Sequence, residues 1–222
     1  MAEALEAGAP IEVVFVGPGA LPVDGGDAPV YELAPGVVER VASTVSPQPV
    51  LAVVARTDVP WQAVAPTLGF VVVAAGLGDP GNMGTILRSA EAAGSSAVVV
   101  TEGSVDIFNS KVVRASAGAL FHVPVVVDVP ITALPELGVP LLGAVAAGGM
   151  PYDEAPLERP CAVVLGNEAH GLPGGLELDG LVSIPHAGRG YHRPPMMPSL
   201  RFRRPRAAAR GRSASSTPRP HA

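Results

Sequence analysis

From Phe70 onward the sequence alternates short, near-unbroken apolar runs with segments of helical period. That alternation restricts the fold more than any other feature. The runs are Phe70–Ala75, Ala97–Thr101, Val123–Val127, Leu141–Ala146, Ala162–Gly166 and Val182–Pro185. Helices are predicted over 83–93, 110–119 and 131–137. A strand that is apolar at every position is buried on both faces. Such strands belong to a parallel sheet with helices on both faces, an α/β fold.

The chain before Phe70 reads differently. Residues 1 to 11 are small and acidic, and fraying is expected there. Glu12–Val16 and Val50–Ala55 read as strands and Val37–Ser43 as a short helix, with Gly/Pro-rich loop between. Two strands and one helix do not close a core, so residues 1–64 are expected to be part of a small α/β domain plus a linker. Residues 65–189 form the main domain. Residues 190–222 hold no acidic side chain and show no apolar periodicity, and they are expected to be a disordered Pro/Arg-rich tail.

Charge follows the same boundary. Residues 1 to 189 carry 7 basic and all 20 acidic side chains, a balance of −13, whereas residues 190 to 222 carry 8 arginines, for a net charge of −5. Phosphate contacts need cations, so an acidic body is an unusual partner for nucleic acid. No apolar run reaches bilayer-spanning length and no signal peptide is read, which predicts a cytoplasmic protein away from membranes. The single cysteine, Cys161, excludes an internal disulfide and a cysteine metal cluster, and its place at the start of a strand predicts a buried, inert thiol.

Residues 70 to 94, FVVVAAGLGDPGNMGTILRSAEAAG, combine a strand, a glycine-rich turn and a helix. Met83, Ile86, Leu87 and Ala90 share the inward face of a helix starting near Met83, and Gly94 stands where a left-handed C-cap is wanted. Asn82 and Arg88 can then face the strand–helix junction, where open α/β sheets place ligands. Three readings stay open for this stretch. It is a tight turn with a surface arginine; or Gly76, Gly78 and Gly81, with Glu102 after the next strand, are a nicotinamide-dinucleotide fingerprint; or Asn82-x-Gly84-x-x-x-Arg88 is the first motif of an RNA methyltransferase. In a chain with 26 glycines the second pattern arises easily.

Further strings favour the third reading. Gly166-Asn167-Glu168-x-x-Gly171-Leu172 follows a strand, Val182–Gly188 reads VSIPHAG, and Lys111 to Phe121 reads KVVRASAGALF. In this order they resemble the SpoU family of RNA ribose 2′-O-methyltransferases. The strand Val50–Ala55 and the helix before it resemble, more loosely, the end of the ribosomal-protein-like RNA-binding domain often fused ahead of that catalytic domain. The resemblance implies a SPOUT-type parallel sheet with a C-terminal trefoil knot. It implies S-adenosylmethionine as cofactor, a homodimer, and RNA as partner, ribosomal RNA ahead of transfer RNA. It implies cofactor contacts at Gly166 and Ile184, with Leu165, Asn167 and Leu172 nearby and Gly143 as a further candidate, and RNA contacts at Lys111, Arg114 and Ser116. Catalysis would fall to Asn82, Arg88 and Glu168. Arg88 would act on the hydroxyl, Asn82 would orient sugar or arginine, and Glu168 would position the loop and pair with Arg88. An activated sulfonium methyl calls for no metal. The plain alternatives are a capping Asn82, an Arg88 in a surface ion pair and a solvated Glu168. His170 and His186 match no motif and read as loop histidines.

The sequence leaves the family pattern after Gly188. The third motif should continue with Ser-Leu-Asn and a helix of small apolar residues, yet the text becomes Gly190-Tyr191-His192-Arg193-Pro194-Pro195. A frame change near residue 189 in a GC-rich gene would give this switch. It would leave the knot incomplete and remove one wall of the cofactor site, so weak or no S-adenosylmethionine binding is expected.

Overall fold

The computed structural model describes residues 1–42, 44–65 and 69–184, together with the backbone of 201–202. Helix α1 (Ala2–Glu6) opens the chain, followed by strands β1 (Ile11–Val16) and β2 (Val30–Glu32), helix α2 (Val37–Val41) and strand β3 (Val50–Val54). They form a small sheet in the order β2-β1-β3, with β2 parallel and β3 antiparallel to β1. The N-terminal residues are not frayed as expected. Ala4 is buried, Glu3 lies 3.2 Å from the His122 ring nitrogen, and the Glu3 side chain covers Gly118.

A linker with helix α3 (Trp61–Val64) leads to the main domain. It is pinned to the sheet edge by a Val59 N–H donating to the Val125 carbonyl at 2.9 Å. The Arg56 guanidinium pairs with Asp58 at 2.9 Å and stacks 4.6 Å above the Phe108 ring.

The main sheet contains β4 (Phe70–Ala74), β5 (Ala97–Thr101), β6 (Val125–Val129), β7 (Leu141–Ala144), β8 (Met150–Pro151), β9 (Cys161–Leu165) and β11 (Gly180–Ser183). Its order is β6-β5-β4-β9-β7-β11-β8, and every pairing is parallel. The two-residue β10 (Glu177–Leu178) pairs instead with β12 (Arg201–Phe202). The alternation of side chains along β4 explains the unbroken valine runs. Val71 and Val73 pack under the linker and the 3₁₀ segment Ile131–Leu137, while Val72 and Ala74 pack under helices α4 (Pro80–Ala92) and α5 (Ser110–Ala115). Each fully buried valine or leucine contributes roughly 1.5–3 kcal/mol. Cys161 is buried as expected, and burial pushes its thiol pKa up.

One expected helix is shortened and another is wound as 3₁₀, both for backbone reasons. The segment 110–119 stops at Ala115 because Ala117 and Gly118 take positive φ of 50° and 102°. The segment Ile131–Leu137 is 3₁₀ throughout and carries Pro135 inside it. Among the described residues no helix is long and apolar enough to cross a membrane. The knot and the disordered tail both involve residues after Ile184, which lie outside the described residues apart from the backbone of Arg201–Phe202.

Candidate active site

Parallel pairing puts the carboxyl ends of β4, β9, β7 and β11 at one edge of the sheet. Strand order reverses there, because β5 flanks β4 on one side and β9 on the other. A crevice at such a reversal is where open α/β sheets bind ligands.

The first wall is the turn between β4 and α4. Gly76 has φ +68°, and its N–H donates to Thr101 Oγ1 and Ser104 Oγ, both at 3.1 Å. Helix α4 begins at Pro80, three residues before the expected Met83. Pro80 suits the first helical position, and the Asp79 carboxylate caps the helix by accepting the Asn82 N–H at 2.7 Å. Asn82 is therefore not the cap, and its side chain is free to reach elsewhere. Met83, Leu87 and Ala90 are buried with Ile86 half-buried, and Gly94 has the expected positive φ of 66°. The Asp79 carboxylate already accepts an N–H at the start of α4, and its charge would repel a pyrophosphate brought there. This counts against the dinucleotide reading.

The second wall is the loop after β9. Asn167 and Gly171 exchange backbone hydrogen bonds of 2.9 and 2.8 Å, closing a five-residue turn. Gly166 has no room for a side chain, because a Cβ would run into the Gly171 carbonyl. Two side chains then tie the walls together. Asn167 Nδ2 donates to the Gly76 carbonyl at 2.8 Å, and Asn82 Nδ2 donates to Glu168 Oε1 at 2.8 Å. The second bond joins residues 86 apart in sequence.

The expected partnership of Glu168 with Arg88 is not formed. Among the described residues there is no ion pair between them. Arg88 is exposed on α4, and Glu168 is engaged by Asn82 instead. Asn82 holds the Glu168 carboxyl below its ordinary pKa, aided by the backbone amides of Glu168 and Gly78 and opposed by slight burial and the Asp79 charge. A depressed native pKa means that the tether stabilises the fold above the unfolded carboxylate pKa and is lost as pH falls through the native one. The Asn82 side-chain amide resonances are thus expected to stay constant at neutral pH and move only in acid below the usual carboxylate range. Resonances unchanged through that titration would disprove the contact.

The remaining candidates spread along the same edge. Leu165 ends β9 and is half-buried, Leu172 is buried at 6 %, and Ile184 follows β11 with 59 % exposure. Gly143 lies inside β7, where a Cβ would meet Leu172, Leu178 and Leu181, so its smallness serves packing. Leu165, Ile184 and the glycine-flanked backbone of 166–171 offer apolar surface beside amide and carbonyl groups, the chemistry an adenosine calls for, while Leu172 packs beneath them in the core. These residues fit S-adenosylmethionine. The rest of the third motif, including His186, lies outside the described residues. A cavity of about 460 Å³ lined by Trp61, Val126, Pro130 and Leu137 sits at the β6 edge, and no motif residue lines it.

Lys111 and Arg114 are exposed on α5, which packs directly on α4. Ser116 stands apart from them. It is fully buried and donates its hydroxyl to the Val113 carbonyl at 2.8 Å, which suits packing rather than RNA contact. The helices approach closely because a Cβ on Gly84 would overlap Ala115.

Residues 69–190 match the SpoU rRNA Methylase family, and the chain belongs to that family. It is 36 % identical over 149 residues to the 23S rRNA (guanosine(2553)-2′-O)-methyltransferase RlmP of Bacillus subtilis, covering 66 % of this chain and 58 % of that protein. It is 34 % identical over 149 residues to an uncharacterized tRNA/rRNA methyltransferase of Synechocystis, covering 64 % of this chain and 53 % of that protein. The chain thus spans little more than half the length of these relatives. The fold matches the SpoU methyltransferase AviRb from Streptomyces viridochromogenes, in complex with AdoMet, with a TM-score of 0.73 and 25 % identity over 86 % of this chain and 80 % of that one.

Proposed function

We propose that this chain transfers a methyl group from S-adenosylmethionine to a ribose 2′-hydroxyl of RNA. The observation that carries the reading is the Asn82–Glu168 bond, because it joins the first and second motifs across the crevice. S-adenosylmethionine supplies an electrophilic methyl, so the protein's task is to bind, align and polarise the hydroxyl. Gly166, Leu165 and Ile184 would line the cofactor, with Leu172 beneath them. Asn167 would hold their loop against Gly76. Arg88 would bind the phosphate beside the reacting sugar, and the Asn82–Glu168 pair would orient the sugar.

Arg88, Lys111 and Arg114 place three exposed cations on two touching helices of an otherwise acidic body. Such a stripe suits a phosphate backbone. We favour ribosomal RNA, since the relatives include a 23S rRNA methyltransferase. We further propose a cytoplasmic homodimer, testable by sedimentation.

The deciding experiment incubates the purified chain with RNA and methyl-labelled S-adenosylmethionine, and maps ribose methylation in cells with and without the gene. RNA binding without label transfer would reduce the chain to a binding remnant. A calorimetric titration measures how much cofactor affinity these strand ends retain. Arg88→Ala is expected to lower turnover by about 10²-fold or more. Its stability should stay within about 0.5 kcal/mol of the parent, since the side chain is exposed.

A further inference from the structure

We propose that Thr101 and Ser104, on the loop after β5, are positioning residues for the second-motif loop 166–171. They act on it through the backbone of residues 76–78. This role rests on the methyltransferase reading, and it gives a function to a stretch that lies outside every SpoU-like string.

Residues 76–78 stand between two loops. From the β5 side, the Gly76 N–H donates to Thr101 Oγ1 and Ser104 Oγ, both at 3.1 Å. The Leu77 carbonyl accepts the Val105 N–H at 2.7 Å. From the β9 side, the Gly76 carbonyl accepts Asn167 Nδ2 at 2.8 Å, and the Gly78 N–H donates to the Glu168 carboxylate. The turn is thus gripped by both loops, and what moves one is passed to the other.

The two hydroxyls are themselves fixed. Thr101 is buried and donates to the Glu102 carbonyl at 3.3 Å, while Ser104 donates to the Ala74 carbonyl at 3.4 Å. A hydroxyl that gives its one hydrogen elsewhere presents only lone pairs to the Gly76 N–H. Gly76 has φ +68°, and no atom lies within 4 Å of where its Cβ would be. Hydrogen bonds rather than side-chain packing therefore set its peptide planes. A displaced Gly76 carbonyl would pull on Asn167, whose Oδ1 accepts the Ala169 N–H at 2.9 Å and the His170 N–H at 3.1 Å. The shift would reach the glycine-flanked backbone that faces the cofactor.

The Gly76 N–H is shared, so either hydroxyl alone still satisfies it. Losing both leaves a half-buried donor without a partner. The two losses should therefore be far from additive.

The test uses the full chain. Thr101→Val and Ser104→Ala should each raise the KM for S-adenosylmethionine less than about threefold, and the T101V/S104A pair about 30-fold or more. The kcat of the pair should stay within about threefold of the parent. Thr101→Ser in the S104A background keeps one hydroxyl and should return KM to the single-variant level. A pair that merely destabilised the fold would lose active fraction, and so kcat, at unchanged KM; that result overturns the proposal. A pair whose KM is only the product of the single effects overturns it too. The Asn167 side-chain amide resonances should move in the pair and in neither single variant, and resonances unmoved in the pair also overturn it. A parental chain that transfers no methyl defeats the methyltransferase reading itself. The amide spectrum needs no turnover and still decides whether the two hydroxyls position Asn167.

Discussion

Gly166→Ala should cost about 3 kcal/mol of stability and abolish cofactor binding. The new methyl would be driven against the Gly171 carbonyl and the Leu172 amide. Both are backbone groups, so no rotamer change can relieve the overlap. Relief requires opening the five-residue turn and losing the two Asn167–Gly171 bonds. Overpacking costs roughly 1–3 kcal/mol and each lost hydrogen bond about 1. For a chain this size that is a fall of about 10 °C in Tm. Thermal unfolding and calorimetric titration with S-adenosylmethionine measure both effects. An alanine variant with parental Tm would mean that the strand end and the loop do not approach so closely.

Gly84→Val is expected to be of similar size, and it strikes the other half of the site. Its side chain would overlap the Ala115 methyl and the backbone between Ala115 and Ser116. Removing a helical glycine returns at most about 1 kcal/mol, so roughly 2–3 kcal/mol of net destabilisation remains. Because α5 carries Lys111 and Arg114, the displacement should also weaken RNA binding. Ala115→Gly should restore part of the loss, since one colliding atom is the Ala115 methyl. Equal destabilisation with and without that second change would place the strain elsewhere.

These two glycines show what the sequence exposed and what it hid. Gly84 and Gly166 stood out within motifs, but their reasons are close approaches to Ala115 and Gly171. Those neighbours lie 31 and 5 residues away, and pattern alone does not pair them. The strands β4, β5, β7 and β9 were legible because each is a buried valine or leucine run. Their order was not, since apolar runs carry no label for their neighbours. The start of α4 was misplaced by three residues because a Gly/Pro string reads as turn, whereas Asp79 and Pro80 are a cap and a first helical residue. Glu168 was found from its motif, but its partner was taken to be an arginine on charge grounds. The structure gives it an amide, nearer along the same helix.

The position of β9 has a consequence for how this protein comes into being. Cys161–Leu165 inserts between β4 and β7, two strands made before it, the first of them far earlier in the chain. A nascent chain that has emerged only to residue 150 can pair β4 with β5 and β5 with β6, but nothing yet bridges β4 to β7. Sequence-distant pairing of this kind is slow to form. Until β9 is made, the half-sheet therefore has an unpaired, valine-rich edge at β4. Fragments ending before residue 160 should aggregate rather than fold, and the crevice between β4 and β9 can exist only once the last third of the chain is in place.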